Sequence, residues 1–407
     1  TFLLVFLSGF SRFQRMLGRM LVGAGLVAGL LLAIRKQKAK KELSQSIPVI
    51  DIAPLLDPSA SSSDRKKVAT SIGTACREFG FFYVTNHNVP MSMPEDLMTM
   101  AREFFSRPLK EKMKISMRNS GLHWKGYFPR FDELTSGKPD NKEGLYFGEE
   151  RCLDHPAVLA RFPMHGPNQW PEPKLEWQKA VTDYMNILTH LGHAILEGVA
   201  LSLNLPENFF RDRYCVPAPF TPFRIFHYPR DPCPVHGDDG SPRWGVGRHT
   251  DYGVLTILYQ DKVGGLQVEK RGGSPAQWIA APPIKNTFIV NIGDMLEIWT
   301  NGWYKATPHR VESHSSLDRL SLPFFFDPGF EATIDPNELA PLATAVRNDS
   351  EVSLGNFKIK NAAGEVEHSV NAPIRYGTYI THKVAAVFPE LFKESGAEDS
   401  YATATVV

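Results

Sequence analysis

From Phe223 to Phe326 the chain runs through short β-branched and aromatic segments separated by turns rich in Gly and Pro. The segments are Arg224–Tyr228, Val254–Gln260, Leu266–Glu269, Trp278–Ala281, Phe288–Ile292 and Leu320–Phe326. Strands this short cannot bury a face alone, so the pattern predicts a sandwich or barrel of paired strands. Upstream the periodicity is mostly helical. Asp64 is expected to open an amphipathic helix with Val68, Ile72, Ala75, Cys76 and Phe79 on one face, closed by Gly80. Further helices are predicted around Glu95–Phe105 and Leu109–Lys114. The longest candidate runs from Leu175 to Leu203, with Met185, Leu188, Leu191, Ile195, Leu196 and Val199 as its apolar stripe. Ile47–Ile52 and Phe81–Thr85 read as strands, residues 116–150 as a long irregular segment, and Tyr379–Phe388 as a helix packed outside.

A chain of 407 residues that is 43% hydrophobic and 22% charged can build a sizeable core without disulfides or a structural metal. Cys76, Cys152, Cys215 and Cys233 form no CxxC pair, which argues against a zinc knuckle or a secreted disulfide framework and for a reducing compartment. Net charge is +1, but residues 1–41 hold eight basic and no acidic side chains, leaving the remainder acidic on balance. Such a body has no basic footprint for nucleic acid, so none is expected as a partner. Residues 20–34 are apolar between basic flanks. Three readings stay open for this segment: a marginal membrane anchor, an organelle-targeting segment, or a non-native extension. The expected organisation is residues 1–44 as that segment, 45–222 as a helical part with the first strands, 223–395 as the β core, and 396–407 as a tail. The chain is expected to act as a monomer on a small-molecule substrate.

Three short motifs stand out within the β region: Arg248-His249-Thr250-Asp251-Tyr252-Gly253, Pro308-His309-Arg310-Val311 and Arg319-Leu320-Ser321. On a strand, residues i and i+2 face the same side, so His249 and Asp251 can point at one ion, and His309 can join them from a later strand or loop end. Two imidazoles and one carboxylate on one face of a metal leave open positions, the arrangement of non-haem Fe(II) centres. Arg319 and Ser321 also share a strand face. A guanidinium fork beside a hydroxyl suits a carboxylate, which implies a small acid as cosubstrate.

Simpler readings compete. A lone His-x-Asp is often only a hydrogen-bonded pair near a turn, and Tyr228 and Arg319 could be ordinary buried groups. His190, His193 and Glu197 lie on one face of the long helix, but no matching second helix appears, so a solvated or interface face is the better reading. Tyr127, Phe131, Phe147 and Phe325 could line an apolar pocket or simply belong to the core.

Taken in order, the motifs resemble the 2-oxoglutarate/Fe(II)-dependent dioxygenase superfamily in its isopenicillin N synthase-like branch. The resemblance runs from Ile47-Pro-Val-Ile-Asp-Ile through Cys76-Arg-Glu-Phe-Gly-Phe-Phe-Tyr-Val, Lys142-Glu143 and Tyr228-Pro229 to His249-Thr-Asp-Tyr-Gly. It continues through Gly264-Gly-Leu-Gln-Val, Val290-Asn-Ile-Gly-Asp-Met-Leu and His309-Arg-Val to Arg319-Leu-Ser-Leu-Pro-Phe-Phe. It implies a mainly β protein with flanking helices around a double-stranded β-helix (jelly-roll) core. It also implies His249, Asp251 and His309 as iron ligands, and Arg319, Ser321 and Tyr228 as the holders of 2-oxoglutarate. Fe(II), 2-oxoglutarate, O2 and ascorbate are the implied cofactors and cosubstrates. The implied reaction hydroxylates, desaturates or cyclises a metabolite while 2-oxoglutarate goes to succinate and CO2. A 2-oxoglutarate-independent oxidase or cyclase, or a non-catalytic binding module, are the alternatives on the same fold. Two departures stand out: Phe226 replaces an Asn found in many plant members, and residues 229–248 are longer than usual.

Overall fold

In the computed structural model, residues 46–230, 244–272, 275–313, 316–335, 357–360, 366–370 and 373–397 are described. The apolar segment 20–34, most of the long 229–248 connection and nearly all of the C-terminal tail lie outside these residues. Among the described residues no helix is long and apolar enough to cross a membrane.

The strands of the two main sheets, in chain order, are β1 (Val49–Asp51), β2 (Phe81–Thr85), β3 (Gly126–Phe128), β4 (Glu143–Phe147), β5 (Phe223–Tyr228) and β6 (Val246–His249). They continue with β7 (Leu255–Gln260), β8 (Leu266–Lys270), β9 (Gln277–Ala280), β10 (Phe288–Ile292), β11 (His309–Val311) and β12 (Arg319–Phe326). Eight form one sheet in the order β1-β2-β10-β7-β12-β5-β4-β3, and four form a second in the order β6-β11-β8-β9. Only β1 and β2 pair in parallel among these; the other neighbours are antiparallel. The jelly-roll architecture implied by the sequence is the one observed.

Period-two alternation sorts each central strand into a cavity face and a helix-covered face. On β12, Arg319, Ser321, Pro323 and Phe325 turn toward the cavity, while Leu322, Phe324 and Phe326 are fully buried. Helix α1 (Ser62–Glu78), helix α2 (Ser92–Phe105) and the long helix α3 (Lys174–Ser202) pack on the large sheet. Helix α3 comes close enough to β12 that a Cβ at Gly192 would collide with the Phe326 ring, so glycine is required there. The next residue, His193, packs its ring edge-on to Phe326 at 4.9 Å. Helix α4 (Asp294–Trp299) follows β10, and helix α5 (Tyr376–Val387) closes the structure near its C-terminal end.

Three expectations need correction. Helix α1 starts two residues before Asp64, because Ser61 is the true cap: it accepts the Asp64 N–H at 3.1 Å and returns its hydroxyl to the Asp64 carboxylate at 2.7 Å. The predicted helix at Tyr379–Phe388 begins three residues earlier, at Tyr376. Residues 116–150 are less irregular than expected. They contain a 3-10 segment (Met117–His123) and the strands β3 and β4, which extend the large sheet beside β5.

Candidate active site

Strands from both sheets converge on one cavity, with about 890 Å³ of empty space counted out to its mouth. His249 ends β6 and His309 begins β11, and the two residues sit opposite each other in the ladder. Their ring centroids are 4.2 Å apart. The Nδ1 atom of His249 lies 2.8 Å from the Gly247 carbonyl, and that of His309 lies 3.2 Å from the Thr307 carbonyl. Each carbonyl can accept only an N–H, so both imidazoles are fixed with Nδ1 protonated and Nε2 free. The Nε2 atoms lie 3.6 Å (His249) and 3.7 Å (His309) from Asp251 Oδ1.

Asp251 is not on a strand, contrary to expectation; it stands in the turn between β6 and β7. The turn is anchored because the Asp251 carbonyl accepts the Asp294 N–H at 2.8 Å, from the first residue of α4. The Oδ2 atom accepts the Thr256 hydroxyl and, at 2.6 Å, the Asn291 amide. This leaves Oδ1 turned toward the imidazoles. Burial pushes the His309 imidazole down to about 4, with His249 acting in the same sense, and burial also lowers His249. Burial works against the Asp251 carboxylate, but the two imidazoles and the Thr256 and Asn291 bonds outweigh it and hold the group below its ordinary value. Two neutral imidazoles and one carboxylate, with their lone pairs within 4.8 Å of one another, form the one such convergent trio among the described residues.

Farther along the cavity, Arg319 is only 2% exposed and Ser321 is equally buried. The guanidinium lies over the Tyr228 ring at 4.6 Å, and one Nη donates to Gln260 Oε1 at 3.2 Å. Its Nε and the other Nη are buried with no partner among the described residues. A guanidinium held in place with unfilled N–H groups is a receptor for an acceptor with two oxygens. The aromatic face of Tyr228 is therefore what meets Arg319. The inner face of β7 joins the two centres, since Thr256 bonds Asp251 and Gln260 bonds Arg319 four residues later.

Several supporting residues take their roles from the fold rather than from spacing. Lys142, 1% exposed, pairs with Asp140 at 2.5 Å and Glu133 at 2.9 Å, and its ammonium lies 5.1 Å over the ring of Phe226. A hydrophobic ring at 226 thus faces a cation. Asp327 accepts the Val254 N–H and the Tyr376 hydroxyl, and burial pushes its carboxyl up to about 7. Of the aromatic candidates, Phe325 lines the cavity. Tyr127 instead bonds Glu143, Phe147 stacks on Trp170 at 5.2 Å, and Phe131 packs under Arg130. The helix trio also separates: Glu197 pairs with Arg65 at 3.3 Å and Arg211 at 3.5 Å, and His193 faces Phe326.

Two family models match the chain: the N-terminal region of non-haem dioxygenases in morphine synthesis over residues 47–173, and the 2OG-Fe(II) oxygenase superfamily over residues 220–328. A probable iron/ascorbate oxidoreductase of Dictyostelium discoideum is 40% identical, covering 85% of this chain and 96% of that protein. A homoarginine-6-hydroxylase of Glycine max is 33% identical, covering 85% of this chain and 98% of that protein. The solved structure of a full-length Neurospora crassa protein in complex with alpha-KG superposes with a TM-score of 0.63 at 25% identity, covering 84% of this chain and 96% of that one. Fe(II), 2-oxoglutarate and O2 are accordingly its cofactor and cosubstrates, and the oxidoreductase relative's name adds ascorbate. This chain belongs to the 2-oxoglutarate- and Fe(II)-dependent oxygenase superfamily, in its isopenicillin N synthase-like branch, and is an oxidoreductase.

Proposed function

We propose that the protein oxidises a small organic metabolite, with His249, Asp251 and His309 holding Fe(II) and with Arg319, Ser321 and Tyr228 holding the distal carboxylate of 2-oxoglutarate. Iron bound there supplies the redox chemistry that activates O2. In the hydroxylation case one oxygen atom enters the substrate and the other enters succinate, with CO2 released from 2-oxoglutarate.

The residues of this chain do the rest. Thr256 and Asn291 hold Oδ2 of Asp251, so Oδ1 is the atom left for the metal. The Gly247 and Thr307 carbonyls keep both imidazoles in the tautomer that offers Nε2. Gln260 and the Tyr228 ring fix the guanidinium plane, and Ser321 adds a hydroxyl from the same strand face. The observation that carries the reading is the pair of unpartnered buried Arg319 nitrogens in the same cavity as the His-Asp-His trio.

The test is succinate release by the purified protein with Fe(II), 2-oxoglutarate, ascorbate and O2 across a panel of amino-acid, phenolic and terpenoid metabolites. L-Homoarginine is the first candidate, given the name of the soybean relative. Substrate-dependent succinate is the expected result. Uptake of O2 with product but no succinate would replace this reading with a 2-oxoglutarate-independent oxidase.

A further inference from the structure

Arg224 stands on the cavity face of β5, four residues before Tyr228, and so roughly 13 Å along the strand from the Arg319 clamp. Its guanidinium lies between the Tyr146 ring at 4.1 Å and the Phe325 ring at 4.6 Å. Its Nε is buried without a hydrogen-bond partner, and among the described residues no ion pair or hydrogen bond reaches the side chain. The two ring faces hold the cation in place but accept none of its in-plane N–H groups.

The nearby acids are engaged elsewhere. Glu133 receives the Tyr146 hydroxyl on Oε1, while its Oε2 forms an ion pair with the Lys142 ammonium at 2.9 Å; the Arg224 charge acts on this carboxylate only through space, with no hydrogen bond between them. Asp140 receives Lys142 and Thr135 on Oδ2 and the Gly247 N–H on Oδ1. Asp327 is filled by Val254 and Tyr376, and Asp251 by Thr256 and Asn291 on one side with the imidazoles on the other. Arg224 is only partly buried, but its Nε is shut off from solvent with no acceptor, which is unfavourable, and its guanidinium borders the cavity, so it is set up for a group that arrives from outside the chain. The cavity wall is mixed, with apolar Phe226, Leu258, Ile380 and Phe325 beside Glu133, Lys142 and Asp327.

We propose that Arg224 is a specificity-determining residue that takes the carboxylate of the substrate, so that the substrate class is a small carboxylic acid. A planar fork matches a carboxylate in bidentate fashion, and the two rings pre-set its plane. The separation from Arg319 keeps the substrate carboxylate apart from that of 2-oxoglutarate, and both arginines line the same cavity as the His-Asp-His trio. This inference rests on the oxygenase reading above.

The test uses protein loaded with Mn(II) and 2-oxoglutarate under nitrogen, titrated by calorimetry. The probes are phenylacetate, indole-3-acetate, L-phenylalanine and L-arginine, each beside its primary amide. At least one acid is expected to bind about tenfold or more tightly than its amide. Arg224→Met should bring that acid to the level of the amide, Arg224→Lys should keep part of the preference, and both variants should bind 2-oxoglutarate like the wild type. The inference is overturned if Arg224→Met keeps the acid preference, if amides bind as well as acids, or if no acid binds to protein that binds 2-oxoglutarate. Failure of the wild type to bind 2-oxoglutarate would overturn the oxygenase reading itself, and this inference with it.

Discussion

The Oδ1 atom of Asp140 accepts the Gly247 N–H at 3.1 Å, tying a buried carboxylate from the N-terminal half of the chain to the strand that carries His249. The Gly247 carbonyl in turn receives Nδ1–H of His249. Lys142 stands behind this relay, neutralising Asp140 and Glu133 together. Burial disfavours the Lys142 charge, but the two carboxylates outweigh it and hold the ammonium well above its ordinary value.

Lys142→Met should therefore harm more than it removes. It leaves Asp140 and Glu133 buried without the ammonium that pairs with both, and removing one partner of a buried pair costs about 3–5 kcal/mol. Urea unfolding at neutral pH should show a loss of that order; a loss below about 1 kcal/mol would mean the relay has little structural weight.

His249→Ala or Asp251→Ala removes a proposed ligand and should abolish substrate-dependent succinate. Each variant should also fail to bind Mn(II) stoichiometrically by calorimetry, while its circular dichroism stays native. Retention of stoichiometric Mn(II) by either variant would remove that residue from the ligand set.

Asn291→Ala keeps all three proposed ligands but frees Oδ2 of Asp251 from its amide donor. Groups that orient a ligand are typically worth about 10–100-fold in metal affinity. A Mn(II) titration should show a decrease in that range, and an unchanged affinity would show that Thr256 alone suffices.

Arg319→Ala should leave metal affinity alone and weaken 2-oxoglutarate. Hydrogen bonds to charged groups contribute about 1.5–3 kcal/mol, so losing the fork should raise the KM for 2-oxoglutarate by at least about tenfold. Equal KM values in variant and wild type would remove Arg319 from the clamp.

Asp327 gives a pH signature. Its folded-state value is raised to about 7 by burial, above the roughly 3.9 of an unfolded carboxyl. The native state then binds the extra proton, so the stabilisation from this group is full below about pH 4 and is lost as pH rises toward 7. Asp327→Asn cannot ionise and should flatten that part of the stability curve. Urea midpoints of the two proteins measured at pH 5 and pH 7.5 check this: the wild type should lose ground to the variant at the higher pH, and parallel behaviour would refute the assignment.

The β core is legible in the sequence because short β-branched and aromatic runs are punctuated by Gly and Pro, and in β12 Arg319 and Ser321 alternate with Leu320, Leu322, Phe324 and Phe326. His249, Asp251, His309, Arg319 and Ser321 are readable because their chemistry is unusual at that spacing. Strands β3 and β4 are hidden for a physical reason. Gly126–Phe128 is too short to show a period, and β4 is stabilised by pairing with β5, which lies far along the chain. Lys142 looks like a surface charge until the fold encloses it, and Arg224 until the fold turns it onto the cavity, since both placements depend on distant neighbours. Spacing alone suggests a strand position for Asp251, whereas Gly253 and the start of α4 turn the chain just after β6.

The order of the large sheet has a practical consequence. Strands β1 and β2 continue it beyond β10, and β4 and β3 continue it beyond β5, so segments from before residue 150 flank the strands that bear the clamp on both sides. A chain cut to begin near residue 220 would keep every proposed ligand and yet expose two raw sheet edges and lose the Lys142 support. Raw edges of this kind recruit other strands. The two halves are thus inseparable in folding, and any shortened form meant for study has to start ahead of β1.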